Sequence, residues 1–235
     1  MKSALLLTLI FALSCALPSI SKEDKRFVPA TGTFDIPETE PDIVITSSSL
    51  TLKDDQVFLE GNVRAIKDDD TLLCERAIVN NSPRWILATI GPELRRRETL
   101  PAEQSTRITV IKARNIFYNA EDGIFNASDS VDVKIDEASW DRSRQQQVIV
   151  TADEMTGFRD NNQLIFRGNV KIRDGDNYGE GQRLDYLQDT NIAILTGNAF
   201  AKTYELNKQT NELEERTLKG EKITYNTETR MATSE

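Results

Sequence analysis

Gln163–Ile172 reads QLIFRGNVKI. Leu164, Phe166, Val170 and Ile172 fall on one face, and Gln163, Arg167, Asn169 and Lys171 on the other, with Ile165 as the one apolar exception. This period of two is the pattern of a half-buried antiparallel strand. Gly168 falls on the apolar face. A glycine there marks a bulge, a bend, or close approach of another group to the backbone.

The pattern recurs in both directions. Gln56–Val63 reads QVFLEGNV and Ile192–Ala199 reads IAILTGNA. Each copy follows an earlier strand and a polar turn. Val44–Thr46 and Leu50–Leu52 precede Lys53-Asp54-Asp55, Val150–Ala152 precedes Arg159–Asn162, and Gly181–Tyr186 precedes Gln188–Asn191. Degenerate copies turn at Asn80–Pro83, at Glu121-Asp122-Gly123 and at Asn226-Thr227-Glu228. Asn, Asp and Gly tolerate the backbone conformations that hairpin turns require. Leu50, Ile78, Ile116, Met155, Leu184 and Ile223 are equivalent positions, 28 to 39 residues apart. Six hairpin-like units at such spacing predict stacked repeats or a rolled sheet. Four-stranded propeller blades would need more chain. Gly91–Arg107 reads as the largest irregular insertion.

Composition limits the chemistry. The chain has 235 residues, enough for one β domain of about 200 residues. It has no histidine, which removes the commonest general base and transition-metal ligand. Its two cysteines, Cys15 and Cys74, build no zinc cluster. We expect Cys74 to be a small buried residue, with an intermolecular disulfide as the alternative. The net charge of −9 disfavours nucleic acid and anionic lipid surfaces, so a bound lipid must contribute mainly through its acyl chains. No phosphate-binding loop is present, so the chain supplies no energy from a nucleotide. The acidic pairs at 68–70 and 174–176 occupy expected turns, where Asp serves local hydrogen bonding. We assign no catalytic residue, metal or cofactor.

Residues 1–21 read as a cleaved signal peptide. Lys2 provides the positive start, and the Ala4–Ala16 run is too short to span a membrane comfortably. A lipoprotein acylated at Cys15 and a retained anchor are the alternatives. Residues 22–42, with Pro29, Pro37 and Pro41, read as an extended linker, and 43–235 as the β domain.

The run Thr151-Ala152-Asp153-Glu154-Met155 to Gly168-Asn169-Val170, followed by Gly181–Tyr186 and Leu195-Thr196-Gly197-Asn198-Ala199, resembles the OstA-like repeat. That repeat is shared by the LptA, LptC and LptD N-terminal domain family of periplasmic lipopolysaccharide-transport proteins. The resemblance is strongest over Val148–Tyr225, recognisable at Val44–Val63 and weak over Gly91–Ala138. It implies an all-β, antiparallel OstA-like β-jellyroll of repeated hairpins, open at both ends, whose apolar inside holds lipid A acyl chains. It also implies edge-to-edge joining to other such jellyrolls, LptC-like and LptD-like, or head to tail into a homo-oligomer. The expected function is therefore a non-enzymatic carrier of lipopolysaccharide in the periplasm. The alternatives are a dry β scaffold of the outer membrane and an anchored LptC-like component.

The Gly-Asn register predicts the inward, lipid-facing set: Val57, Leu59, Val63, Leu164, Phe166, Val170, Ala193, Leu195 and Ala199. Small residues at Gly61, Gly168, Ala193, Gly197 and Ala199 leave a stripe that suits either a groove or tight sheet packing. Arg95, Arg96 and Arg97 are candidate phosphate contacts, since arginine offers paired donors to phosphate; a solvated loop is the alternative. Val44–Leu52 and Ile223–Thr233 are the expected edges, where another chain could add a strand.

Overall fold

A computed structural model describes Thr31–Thr33 and residues 44–235, except 55, 68, 82, 101–103, 120–121, 141–144, 159–160, 162, 207–212 and 227–230. The expected signal peptide, Cys15 and most of the expected linker lie outside the described residues.

Sixteen strands form one sheet, every pairing antiparallel. They are β1 (Thr31–Thr33), β2 (Val44–Thr46), β3 (Ser49–Lys53), β4 (Gln56–Lys67), β5 (Asp70–Asn81), β6 (Arg84–Thr89), β7 (Glu93–Leu100) and β8 (Ser105–Lys112). There follow β9 (Asn115–Asn119), β10 (Ile124–Ser139), β11 (Gln145–Phe158), β12 (Gln163–Asp174), β13 (Asn177–Leu187), β14 (Ile192–Leu206), β15 (Leu213–Asn226) and β16 (Met231–Ser234). Neighbours in sequence are mostly neighbours in space, as hairpins dictate. The sheet is thus the antiparallel β-jellyroll expected from the repeat.

Two places depart from the expected organisation. Gly91–Arg107 is not irregular: β7 and β8 pair from Glu93↔Lys112 to Leu100↔Ser105. That hairpin fills the gap between β5 and β10 alongside β6 and β9. It escaped the sequence pattern because its inward residues include Arg96, Glu98, Ser105 and Arg107, so polarity does not alternate in the usual sense. The linker also contains a strand, since Thr31–Thr33 pairs with Val44–Thr46. Three small residues carry no periodic signal.

The Gly-Asn steps bend the long strands. Gly168 and Asn169 have φ of 74° and 47°, and the β12–β13 register jumps between Arg167 and Val170. Gly168 and Asn169 on β12 face the single residue Gln182 on β13 there, which defines a bulge. The same double left-handed step occurs at Gly61-Asn62 and Gly197-Asn198, and without a glycine at Asp129-Ser130. Each coincides with a register shift in its strand pair. Together they draw a line of kinks across the middle of the sheet. Kinks of this kind let a twisted sheet curl enough to cover its own apolar face. Gly168 is also needed for space: an added Cβ would lie 2.8 Å from Asp153 Cβ. Asn169 closes the corner by donating from Nδ2 to Asp153 Oδ2 at 2.9 Å. The stripe of small residues is therefore close-packed at its glycines; the side chains of Ser48, Asp153 and Gln182 approach Gly61, Gly168 and Gly197.

Ile90, between β6 and β7, sits at a comparable step with φ 61° and Gly91 follows at 69°. A β-branched residue is strained in this region. Its carbonyl accepts from Glu75 N–H at 3.2 Å, while the side chain is 55% exposed.

The inner face forms one apolar cluster running from β4 to β15. All nine residues of the predicted inward set belong to it, none more than 8% exposed. Ile165 is buried too, but on the other face and outside that cluster.

Replacing Gly168 with Ala should destabilise the protein by roughly 1–3 kcal/mol, through left-handed strain and the clash with Asp153. Replacing Ile90 with Gly should instead stabilise it by about 1 kcal/mol, since strain is relieved and little burial is lost. Urea denaturation midpoints at constant slope check both.

Candidate functional site

The interior is the candidate site. In the antiparallel strands successive side chains alternate faces, so each hairpin contributes two inward rows. Near the C-terminal side the interior opens into a pocket of about 90 Å³. Leu184, Leu195, Ala201, Ile223 and Tyr225 form its apolar wall, with Ile172, Gly179 and Ala193 beside them. Asp174, Asn177 and Thr203 stand at its polar margin. Two members of the predicted inward set, Ala193 and Leu195, reach this wall. Val57, Leu59, Val63, Leu164, Phe166, Val170 and Ala199 pack in the continuous core.

The opposite part of the interior is charged. Asp70 faces Arg96 across β5–β7, Glu98 faces Arg107 across β7–β8, and Arg107 faces Glu137 across β8–β10. Arg96 Nε lies 2.9 Å from Asp70 Oδ1 and its Nη1 4.0 Å from Glu98 Oε1. Arg107 approaches Glu98 Oε2 at 3.7 Å, and donates from Nε and Nη2 to Glu137 Oε2 at 3.2 and 3.1 Å. Ser105 Oγ donates to the other Glu137 oxygen at 3.2 Å. Acid and base therefore alternate along a five-residue ladder on the inner face. The Arg107 and Glu137 side chains are only 4% and 2% exposed.

The ladder was partly legible. Once 93–100 is a strand, Leu94, Arg96 and Glu98 must share a face. STRITVIK over Ser105–Lys112 likewise puts Ser105, Arg107, Thr109 and Ile111 inside, and leaves Ile108 42% exposed outside. The inversion hid the signal, because apolar residues mark the outer face there. Asp70, expected in a solvated turn, is 6% exposed because Arg96 draws it inward.

The three candidate phosphate contacts separate. Arg96 points inward to Asp70, Arg95 is exposed and paired with Glu93, and Arg97 is exposed. As consecutive residues on a strand, Arg96 falls on the inner face and Arg95 and Arg97 share the outer one.

Burial pushes the Glu98 carboxyl above its usual range, against the pull of Arg96 and Arg107. Among the described residues, Glu98 Oε2 and Thr109 Oγ1 are buried with no hydrogen-bond partner. Cys74, on the inner face of β5, is pushed up to about 11 chiefly by burial, which makes it an inert thiol at neutral pH. Among the described residues, no group of three or more His, Cys, Asp or Glu is placed to hold a metal.

Each expected edge is free in part: among the described residues, Ser49–Leu52 of the first and Met231–Thr233 of the second lie on outermost strands, whereas Val44–Thr46 and Ile223–Asn226 are covered. β1 covers β2, so on the N-terminal side β3 is free along Ser49–Lys53. Leu52 is 47% exposed there. On the other side β16 pairs with Ile223–Asn226, which covers that expected edge. The free groups belong to β16 and to the part of β15 before Gly220, which pairs only with β14. Short strands thus cover Val44–Thr46 and Ile223–Asn226 and leave the rest of each expected edge open.

A rolled antiparallel sheet with an apolar interior and a free strand at each side is an OstA-like jellyroll. The family described as "LptA/(LptD N-terminal domain) LPS transport protein" matches residues 44–231, and the chain belongs to it. The crystal structure of LptH from Pseudomonas aeruginosa, described as the LptA homologous periplasmic component of the conserved lipopolysaccharide transport device, also aligns. It covers 77% of this chain and 94% of its own at 11% identity, with a TM-score of 0.34. No curated protein sequence matches.

The raised Glu98 pKa gives a signed prediction. A folded state that favours protonated Glu98 loses stability as pH rises from the ordinary glutamate value through the raised one. Glu98→Gln should therefore raise the thermal midpoint near neutral pH and lose that advantage below the ordinary glutamate pKa. A constant difference across pH 3 to about 8 would contradict the assignment.

Proposed function

We propose that this protein takes part in lipopolysaccharide transport by holding acyl chains against the inner face of the jellyroll. Membership of the family supports the transport role. The observation that carries the binding role is the apolar pocket of Leu184, Leu195, Ile223 and Tyr225, which continues the core. Acyl chains entering it leave water for an apolar wall, each methylene contributing about 0.8 kcal/mol. At about 90 Å³ the pocket is smaller than one acyl chain, so uptake requires the walls to part. The work would be done in the periplasm after removal of residues 1–21, with lipid passed to LptC-like and LptD-like jellyrolls paired at β3 and at the β15–β16 side. Backbone groups on those strands provide the pairing and need no particular side chain. Binding and hand-over require no bond to be made or broken in the lipid, so the role is not enzymatic.

One observation favours the alternative of a dry scaffold. Most of the interior is close-packed, with Ala77, Ala88 and Val133 at 0% exposure. A core this full needs no ligand.

Photocrosslinking in cells separates the two. A probe amino acid at Leu195, on the pocket wall, should capture lipopolysaccharide. The same probe at Ile194, which faces the other way, should not. No capture at either site, in a folded and exported protein, would favour the scaffold.

A further inference from the structure

The ladder Asp70–Arg96–Glu98–Arg107–Glu137 lies where the repeat elsewhere places apolar residues. Burying five charges is costly unless each is paired, and an apolar packing of equal volume is often as stable. The inversion along most of β8 shows that its sequence is arranged for this: its inner face is Ser105, Arg107 and Thr109 before Ile111, while Ile108 and Val110 face outward. The interior is therefore unequal. The C-terminal part, at the pocket, offers Leu184, Leu195 and Ile223 to a ligand. On the far side of the kinks from the β7–β8 hairpin, β5, β6 and β9 also offer apolar walls, such as Val79, Ile86 and Ile116. Toward that hairpin, β5, β7, β8 and β10 present the ladder.

We propose that the ladder is a specificity element that stops acyl chains. This rests on the lipid-holding role above and deepens it. A chain pushed toward the hairpin would have to separate Arg107 from Glu137, or Arg96 from Asp70, in a space without water. Breaking one such pair costs more than several methylene groups recover by burial. Bound chains are thus confined to the pocket and to the apolar walls on the far side of the kinks. The ladder limits the length and number of chains accepted, and orients the lipid with its apolar part away from the hairpin. If the ladder served only to set the β7–β8 register, removing its charges would leave the chains where they were.

The test uses the full exported chain and lipopolysaccharide bearing a photoreactive diazirine on its acyl chains, with labelled residues located by mass spectrometry. The wild-type protein should be labelled on β13–β15 and be unlabelled on the inner residues of β7 and β8. In Glu98→Leu/Arg107→Leu/Glu137→Leu, which keeps the Asp70–Arg96 pair, label on β7–β8 should rise on the order of tenfold relative to β14, the partition gain of about two methylenes. Circular dichroism establishes that the variant is folded; if it is not, Arg107→Leu/Glu137→Leu is used in its place and the wild-type map still decides. Equal label on β7–β8 and β14 in the wild type would overturn the proposal. So would a folded variant with no gain on β7–β8. An unlabelled wild type would instead remove the lipid-holding reading, and the proposal with it.

Discussion

Everything in this molecule depends on the double left-handed step at Gly-Asn. An extended strand presents a nearly straight row of side chains, and a flat sheet cannot bury its own face. Two consecutive residues with positive φ bend the strand and insert a bulge, and they do so at the same level in strand after strand. Glycine is suited to the first position because side chains from the neighbouring segment press against it, as Asp153 does on Gly168. Asparagine suits the second because it tolerates the conformation and, at Asn169, bonds to that same aspartate. The result is a curled sheet with one buried apolar face.

That face was the most legible part of the sequence. Val57, Leu59, Leu164, Phe166 and Leu195 stood out because antiparallel strands with one wet face alternate strictly. The Gly-Asn steps then fixed which parity points inward. What escaped was the region where polarity and direction part company. Arg96, Glu98 and Arg107 read as surface residues because charges usually are. Only their placement opposite Asp70 and Glu137 on adjacent strands makes burial tolerable, and such pairings connect residues more than 25 apart in sequence. The exact limits of the edges escaped for a related reason. Whether Val44–Thr46 is free depends on a three-residue strand, Thr31–Thr33, too short and too polar to leave a pattern.

The mixture of a full core and a small apolar pocket has a functional sense. A permanently open trough of this length would expose a large apolar surface to water and to other proteins. On the proposed lipid-holding role, a core that closes on itself when empty and opens at the Leu195 side to admit lipid would avoid this. Close packing without covalent staples is consistent with such behaviour, since Cys74 is buried as a free thiol and no disulfide fixes the walls among the described residues.

The most direct test is a spin-label scan along β14, one label at a time from Ile192 to Thr196, with and without lipopolysaccharide. The account predicts a period of two: lipid immobilises labels at 193 and 195 and leaves those at 192, 194 and 196 unchanged. A response uniform along the strand, or confined to the even positions, would contradict an inward-facing lipid site.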